Sequence, residues 1–334
     1  MLQVNIHGPN DVRLDETPVP EPGPADALVR VQSCGICGSD LGYVKLGGLA
    51  GPTATPMPLG HELSAVVEAV GSEVQDVAPG DRVVVNPMGA GNQIGNGGPE
   101  GAFAPQLLVR NAAAGDSLFK IPDSLPDDLA ALTEPIGVGM QAVNRAGAEP
   151  GDKVVIFGAG PIGLAALAVL RYRGVEDAVV VDLSPTRLEI ADKLGARATV
   201  NAGEEDTWAR IRELHGTEPV FGAPMAGTDA YIEASGASPL IGQVIGQAKG
   251  EARLSVVALH RAEVPVSFLV VMMKQLQISG SMAYPEDWSE MIELVDRADL
   301  SPMITHRFPL ERFAEALAVA QDPTAGAKVL IEIG

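Results

Sequence analysis

The stretch Lys153-Val154-Val155-Ile156-Phe157-Gly158-Ala159-Gly160-Pro161-Ile162-Gly163, with the apolar run 178–182 that ends in Asp182, decides how the chain is read. Residues 153–157 form a continuous apolar run of strand length, 161–173 follow with helical composition and a proline in the first turn, and 178–182 give a second strand. Strand, helix and strand within about 30 residues is the unit of a parallel crossover. In that setting the G-x-G-x-x-G spacing has a mechanism. Gly158 permits the tight turn, Gly160 lets backbone approach a pyrophosphate, and Gly163 allows the helix to pack on the strand, while Pro161 and Ile162 open the helix whose N–H groups meet the phosphates. Asp182 lies 19 residues after Gly163, where a carboxylate accepts ribose hydroxyls and repels a 2′-phosphate, so NAD is favoured over NADP. Arg187 is a cation able to offset Asp182 in part; the simpler reading is an exposed residue in a helix's first turn.

Outward from this stretch, Ser184-Pro185 supplies an N-cap and first-turn proline for a helix that Gly195 closes. Strands are expected at 230–233, 253–258 and 277–280, which makes the middle of the chain a doubly wound α/β domain. Toward the N-terminus, short β-branched runs at 28–32, 64–70, 82–85 and 103–109 alternate with Gly/Pro punctuation and predict an antiparallel, barrel-like domain. Residues 86–101, rich in Gly, Asn and Pro, read as a surface loop. Helices at 288–297 and 310–321 precede a strand at 328–333 that returns to the first domain. The expected division is 1–148 with 286–334 as a catalytic domain and 149–285 as a dinucleotide-binding domain. The connection 216–227 is long and rich in Gly and Pro, with no functional reading.

Across 334 residues, hydrophobic residues are 46% and charged residues 20%, which describes an ordinary folded chain. The net charge of −20 repels phosphate backbones and anionic lipid, so neither nucleic acid nor membrane is an expected partner. No apolar stretch approaches the roughly 20 residues of a membrane span, and residues 1–9 lack the pattern of a signal peptide. A cytoplasmic location is expected. Two cysteines, Cys34 and Cys37, build no disulfide framework, so they point to chemistry.

Cys37 opens the run Cys37-Gly38-Ser39-Asp40, and Gly60-His61-Glu62 adds an imidazole and a carboxylate. Thiolate, imidazole and carboxylate are the donors of a zinc site with an open position. A lone His is more often a core residue and a lone Cys a small buried hydrophobe, and Cys34 is read in that way. The combination with a dinucleotide fold changes the weight. These residues, with Pro79-Gly80-Asp81-Arg82-Val83, Glu134-Pro135, the Gly158–Gly163 run and Thr305-His306-Arg307-Phe308-Pro309-Leu310, resemble nearly end to end a zinc-dependent medium-chain dehydrogenase/reductase. The resemblance is to the branch of the alcohol dehydrogenase superfamily that holds sorbitol, threonine and butanediol dehydrogenases.

The resemblance implies an α/β protein with a GroES-like β-barrel catalytic domain and a Rossmann domain, oxidising a secondary alcohol or vicinal diol with NAD, or reducing the ketone. It implies one catalytic zinc per subunit on Cys37, His61 and Glu62, with Glu134 at the metal or one water away. Asp40 would orient the His61 ring, and Ser39 would accept the alcohol proton. Ala258, Leu259, His260 and Ser281 would flank the nicotinamide, and a homodimer or homotetramer would form, with 270–273 read as core or subunit interface.

Three departures matter. Residues 86–101 hold no cysteine where many relatives carry a structural zinc, so none is expected. Gly42 stands where the relay histidine is common, which leaves His260 as a candidate relay. Ala283-Tyr284 replaces the Arg-Tyr pair of sorbitol dehydrogenases. With Tyr43, Tyr284, Met282 and Trp288 as expected pocket walls, a small alcohol or diol fits better than a long polyol. A threonine or sorbitol-type dehydrogenase is the alternative; a non-catalytic NAD-binding module and a zinc-free quinone reductase are further ones, opposed by the intact donor set and Asp182.

Overall fold

Lys153–Phe157 forms the strand its apolar run predicts, with Val154, Val155, Ile156 and Phe157 all buried, as a central parallel strand covered on both faces requires. Around it lies a six-stranded parallel sheet in the order Ala198–Asn201, Asp177–Asp182, Lys153–Phe157, Ala230–Glu233, Arg253–Val256, Gln277–Gly280. Counted along the chain, that order is 3-2-1-4-5-6, which places the switch point beside the first strand, where the glycine-rich turn leads into helix Pro161–Tyr172. A Cβ at Gly163 would collide with the Gly158 carbonyl oxygen, so the helix starts this close to the strand only because glycine is there. The 216–227 connection is an antiparallel hairpin of Thr217–Val220 and Ala223–Ala226. Its turn residues Phe221 and Gly222 both have positive φ, 51° and 81°, as a two-residue hairpin turn demands.

The computed structural model describes residues 1–334 and divides into two compact units, Met1–Glu134 with Glu286–Arg297 and Ile304–Gly334, and Pro135–Pro285 with Ala298–Met303. The break thus falls after Glu134, ahead of the expected 148/149 boundary, because most of helix Thr133–Ala146 clusters with the parallel sheet.

In the first unit the main sheet runs Ile304–Pro309, Lys328–Glu332, Ala27–Gly35, Glu62–Val70, Arg82–Val85, Leu118–Lys120, with Gln106–Val109 also paired to Ala27–Gly35. The antiparallel, barrel-like domain expected here is present: the sheet follows an open path whose pairings are antiparallel except that of Ile304–Pro309 with Lys328–Glu332. A three-stranded sheet of Asp11–Glu16, Leu2–Gly8 and Met57–Pro58 completes the unit. The Asp81-Arg82 motif is scaffolding: Arg82 donates to the carbonyls of Pro122, Asp123 and Leu125 and to Asp127, pinning residues 122–127. Trp288, expected in a pocket wall, is fully buried and stacks on Phe119 at 5.0 Å between centroids. Its large apolar surface is used for packing instead.

Candidate active site

Strand register assembles one end of the first unit. Gly35 pairs with Glu62 on one side and with Leu330 on the other, so the ends of three strands meet where the chain turns into helix Gly38–Leu46. Cys37 is the N-cap of that helix, and its N–H donates to Asp40 Oδ2 at 2.9 Å. The other Asp40 oxygen, Oδ1, faces His61 Nδ1 at 3.5 Å. This is an ionic contact longer than a formed hydrogen bond, and both atoms are buried without a hydrogen-bond partner. One carboxylate therefore ends a helix and orients the imidazole.

Donor atoms of Cys37, His61 and Glu62 all lie within 4.8 Å of one another. Ser39 Oγ stands 3.5 Å from His61 Nε2. A Cβ at Gly35 would collide with Glu62 Oε2, so glycine makes room for the carboxylate. Burial opposes a charged His61, but Asp40 and then Cys37 outweigh it and hold its ionisation well above the ordinary histidine range. Burial pushes the Glu134 carboxyl up to about 7, with His61 pulling down and Glu62 pushing up. Glu134 stands outside the close group of three and is coupled to it by charge. The thiol, imidazole and carboxylate donors of the cluster suit zinc.

Lys328, which the sequence reading passed over, completes the site. It is 1% exposed, and its Nζ donates to both Glu62 oxygens, at 2.8 and 2.6 Å, and to Ile36 O at 3.2 Å. Burial works against the ammonium, but Glu62 and Cys37 reverse that and hold it charged. No local pattern announces a residue 266 positions from its partner. The only available signal is a lone lysine at the head of an apolar strand.

Next to the site, residues 86–101 form the expected loop apart from a short turn at Gly89–Gly91. Asn92 staples it: Nδ2 donates to Gly89 O and Arg110 O at 2.8 Å each, and Oδ1 accepts Arg110 N–H at 3.2 Å. Tyr43, half-buried on the Cys37 helix, donates to Asn96 Oδ1 at 3.1 Å.

In the second unit, Asp182 closes the glycine-rich turn. Oδ2 accepts Ala159 N–H at 2.6 Å, and Oδ1 accepts the N–H groups of Leu183 and Ser184 at 2.7 and 2.8 Å. Of about four lone-pair positions on a carboxylate, one on Oδ2 remains. Arg187 Nη1 lies 4.0 Å from the place of a Cβ on Gly160, beside the glycine-rich turn and only partly exposed. Ala258, Leu259, His260 and Ser281 follow the carboxyl ends of the fifth and sixth strands, the edge where such sheets bind ligands. Ser281 Oγ is buried with no hydrogen-bond partner. The His260 ring is committed by Nε2, 2.7 Å from Glu233 Oε2. Glu233 also accepts from Ser235 N, Ser235 Oγ and Gly236 N, so His260 clasps two loops. Tyr284 is half-buried and Met282 is 82% exposed.

Comparison with known proteins agrees with this geometry. Residues 23–123 match the alcohol dehydrogenase GroES-like domain and residues 161–297 the zinc-binding dehydrogenase domain. Human sorbitol dehydrogenase is 34% identical, covering 94% of this chain and 91% of that protein. The 2R,3R-butanediol dehydrogenase of Bacillus subtilis superposes with a TM-score of 0.86 at 27% identity, covering 99% of both chains. A zinc-binding dehydrogenase of Sinorhizobium meliloti, solved with NADP bound, superposes with a TM-score of 0.83 at 26% identity, covering 99% of this chain and 98% of that one. A cysteine–histidine–glutamate cluster beside a helix-borne serine, a doubly wound nucleotide sheet and full-length likeness to these enzymes lead to one conclusion: the chain belongs to the zinc-binding alcohol dehydrogenase family and is a zinc- and nicotinamide-dependent oxidoreductase.

Proposed function

We propose that the protein oxidises a secondary alcohol or vicinal diol with NAD, and reduces the corresponding ketone, at one zinc ion per subunit held by Cys37, His61 and Glu62, with Glu134 at the metal or one water from it. The observation that carries this is the convergence of those three donors within 4.8 Å with Ser39 Oγ 3.5 Å from His61 Nε2. When bound, zinc supplies a Lewis acid for the hydroxyl or carbonyl oxygen and the nicotinamide takes or returns the hydride. Asp40 holds the imidazole in place, Lys328 balances Glu62, and Ser39 takes the proton of the alcohol.

Residues 1–148 with 286–334 supply the catalytic half in this reading, and 149–285 bind the dinucleotide. Gly158, Gly160, Pro161, Ile162 and Gly163 receive the pyrophosphate, with Arg187 beside them. Asp182 offers its remaining acceptor position to a ribose hydroxyl and disfavours a 2′-phosphate, which supports NAD. Ala258, Leu259, His260 and Ser281 border the nicotinamide. Tyr43, Met282 and Tyr284 form pocket walls, and Ala283 ahead of Tyr284 supports a small substrate. Likeness to human sorbitol dehydrogenase favours a polyol as the second reading.

A homodimer or homotetramer is supported by Phe268, Leu269, Met272 and Met273, all exposed on one helix, and Ile278 on an open edge strand, a combination that calls for cover. The acidic surface and scarcity of cysteine support a cytoplasmic location. The test is the rate of NADH formation on 2,3-butanediol stereoisomers, threonine, simple secondary alcohols and sorbitol, with chelator and then with zinc restored. Chelator-sensitive, zinc-restored turnover is expected; NADH binding without turnover on any of them overturns the reading.

A further inference from the structure

Glu233 is fully buried at the carboxyl end of strand Ala230–Glu233, where a carboxylate needs its oxygens filled. Oε1 accepts from Ser235 N, Ser235 Oγ and Gly236 N, and Oε2 meets His260 Nε2 at 2.7 Å. A carboxylate only accepts, so Nε2 carries the hydrogen and donates it. Nδ1 is buried without a partner, which leaves Glu233 as the one hydrogen-bonded anchor of the ring. The backbone repeats the link, since the N–H groups of Val257 and Ala258 donate to the Glu233 carbonyl at 3.0 and 3.2 Å. The loop that Glu233 gathers is wedged between two others. A Cβ at Gly158 would come 2.8 Å from Ser235 N, and one at Gly236, where φ is 74°, would rest 3.8 Å from Ala258 Cβ. Across the edge of the sheet the order of packing is therefore the glycine-rich turn, residues 234–236, then 258–260.

We propose that Glu233 and His260 are positioning residues that fix the span between the glycine-rich turn and residues 258–260, so that a dinucleotide anchored by its pyrophosphate at the turn finds the nicotinamide wall already in place. The proposal rests on the nucleotide-binding reading. The turn itself suits a pyrophosphate, since a Cβ at either Gly158 or Gly163 would strike backbone where the strand meets the helix N-terminus. Residues 257–267 need a tether because they run between Val256 and Phe268 with neither helix nor strand, and 261–263 are exposed. Without the clasp the cofactor would have to order that segment itself, and the cost would come out of its affinity. The effect is confined to the nicotinamide half: ADP-ribose keeps the adenosine, the pyrophosphate and the second ribose, and ends short of the wall.

The test measures calorimetric Kd values for NADH and ADP-ribose on the wild type, His260→Ala, Glu233→Gln, the double variant and His260→Gln, with a melting curve for each. His260→Ala and Glu233→Gln should each weaken NADH by about tenfold or more and ADP-ribose by less than about twofold. The double variant should bind NADH no worse than the weaker single one, because both cut one clasp. His260→Gln keeps an N–H able to reach Glu233 and should recover most of the loss. Should Glu233→Gln fail to fold, the two His260 variants carry the test, since in them Glu233 keeps its three loop donors. An NADH Kd within about twofold of wild type for the folded variants, equal losses for NADH and ADP-ribose, or losses that multiply in the double variant overturn the assignment alone. So does a wild type that binds NADH no tighter than ADP-ribose. A wild type that binds neither overturns the nucleotide reading and the assignment with it.

Discussion

Replacing Lys328 by methionine keeps an unbranched side chain one atom shorter and removes the ammonium that holds both Glu62 oxygens at 2.8 and 2.6 Å. Both residues are buried, and breaking such a pair from one side costs about 3–5 kcal/mol, mostly the price of a lone charge in a dry interior. The carboxylate has one escape, which is to take a proton. At pH 7 that costs about 3.7 kcal/mol for an acid of ordinary pKa near 4.3, and about 1.4 kcal/mol less for each unit of lower pH. The sign follows from linkage: the variant's folded state holds a proton that its unfolded state releases, so its deficit grows as pH rises above about 4.3 and shrinks as pH falls. Bound zinc supplies the missing positive charge, so the deficit should also shrink in metal-loaded protein. Urea unfolding at pH 5.5, 7 and 8, with chelator or with zinc, reads all of this. Lys328→Met should lose about 3 kcal/mol at pH 7 in chelator, and Glu62→Gln with Lys328→Met should regain at least about 2 kcal/mol. A loss under about 1 kcal/mol, or one indifferent to pH and metal, would refute the reasoning.

Cys37→Ser should abolish turnover and zinc retention while NADH binding, followed by fluorescence, stays nearly unchanged; preserved activity would sink the metal assignment. Asp182→Gly should raise the NADP-to-NAD ratio of kcat/KM by at least about tenfold and, by unpairing three backbone N–H groups, destabilise the protein by about 1–3 kcal/mol. An unchanged cofactor ratio would remove Asp182 from ribose recognition. His215 is buried between Thr228 Oγ1 at 2.8 Å and Asp177 Oδ1 at 3.2 Å. Burial, opposed by Asp177, holds its ionisation below the ordinary range. Unfolded chains therefore take the proton first as pH falls through about 6.5, and stability is lost toward the depressed native value. His215→Gln should flatten that acid-side slope in thermal melts between pH 7 and 5, and equal slopes would assign the sensitivity elsewhere.

The nucleotide half was legible because its signal is local: an apolar run, a glycine spacing and a carboxylate at the next strand's end lie within 30 residues and map onto neighbouring strands. Cys37, His61 and Glu62 were legible as donor types within two short motifs. Lys328, Asn92 and the Glu233–His260 clasp were not, because each depends on a partner brought close by strand pairing or loop closure, and a single lysine or asparagine carries no periodicity. Trp288 misled for the opposite reason, since an indole in an amphipathic helix serves a core and a pocket wall equally well. The hairpin at 217–226 was hidden by prolines inside both strands, residues that demote a strand reading.

The interrupted order of the first unit has a consequence for synthesis. Its strand Lys328–Glu332 lies between Ile304–Pro309 and Ala27–Gly35 in the sheet, yet comes last of the strands along the chain. On the ribosome, the nucleotide-binding sheet has all six strands once residue 280 has emerged, whereas the other sheet waits with two open edges for its final member. During that interval Glu62 lacks the ammonium of Lys328, so the buried carboxylate is balanced only when this last strand docks.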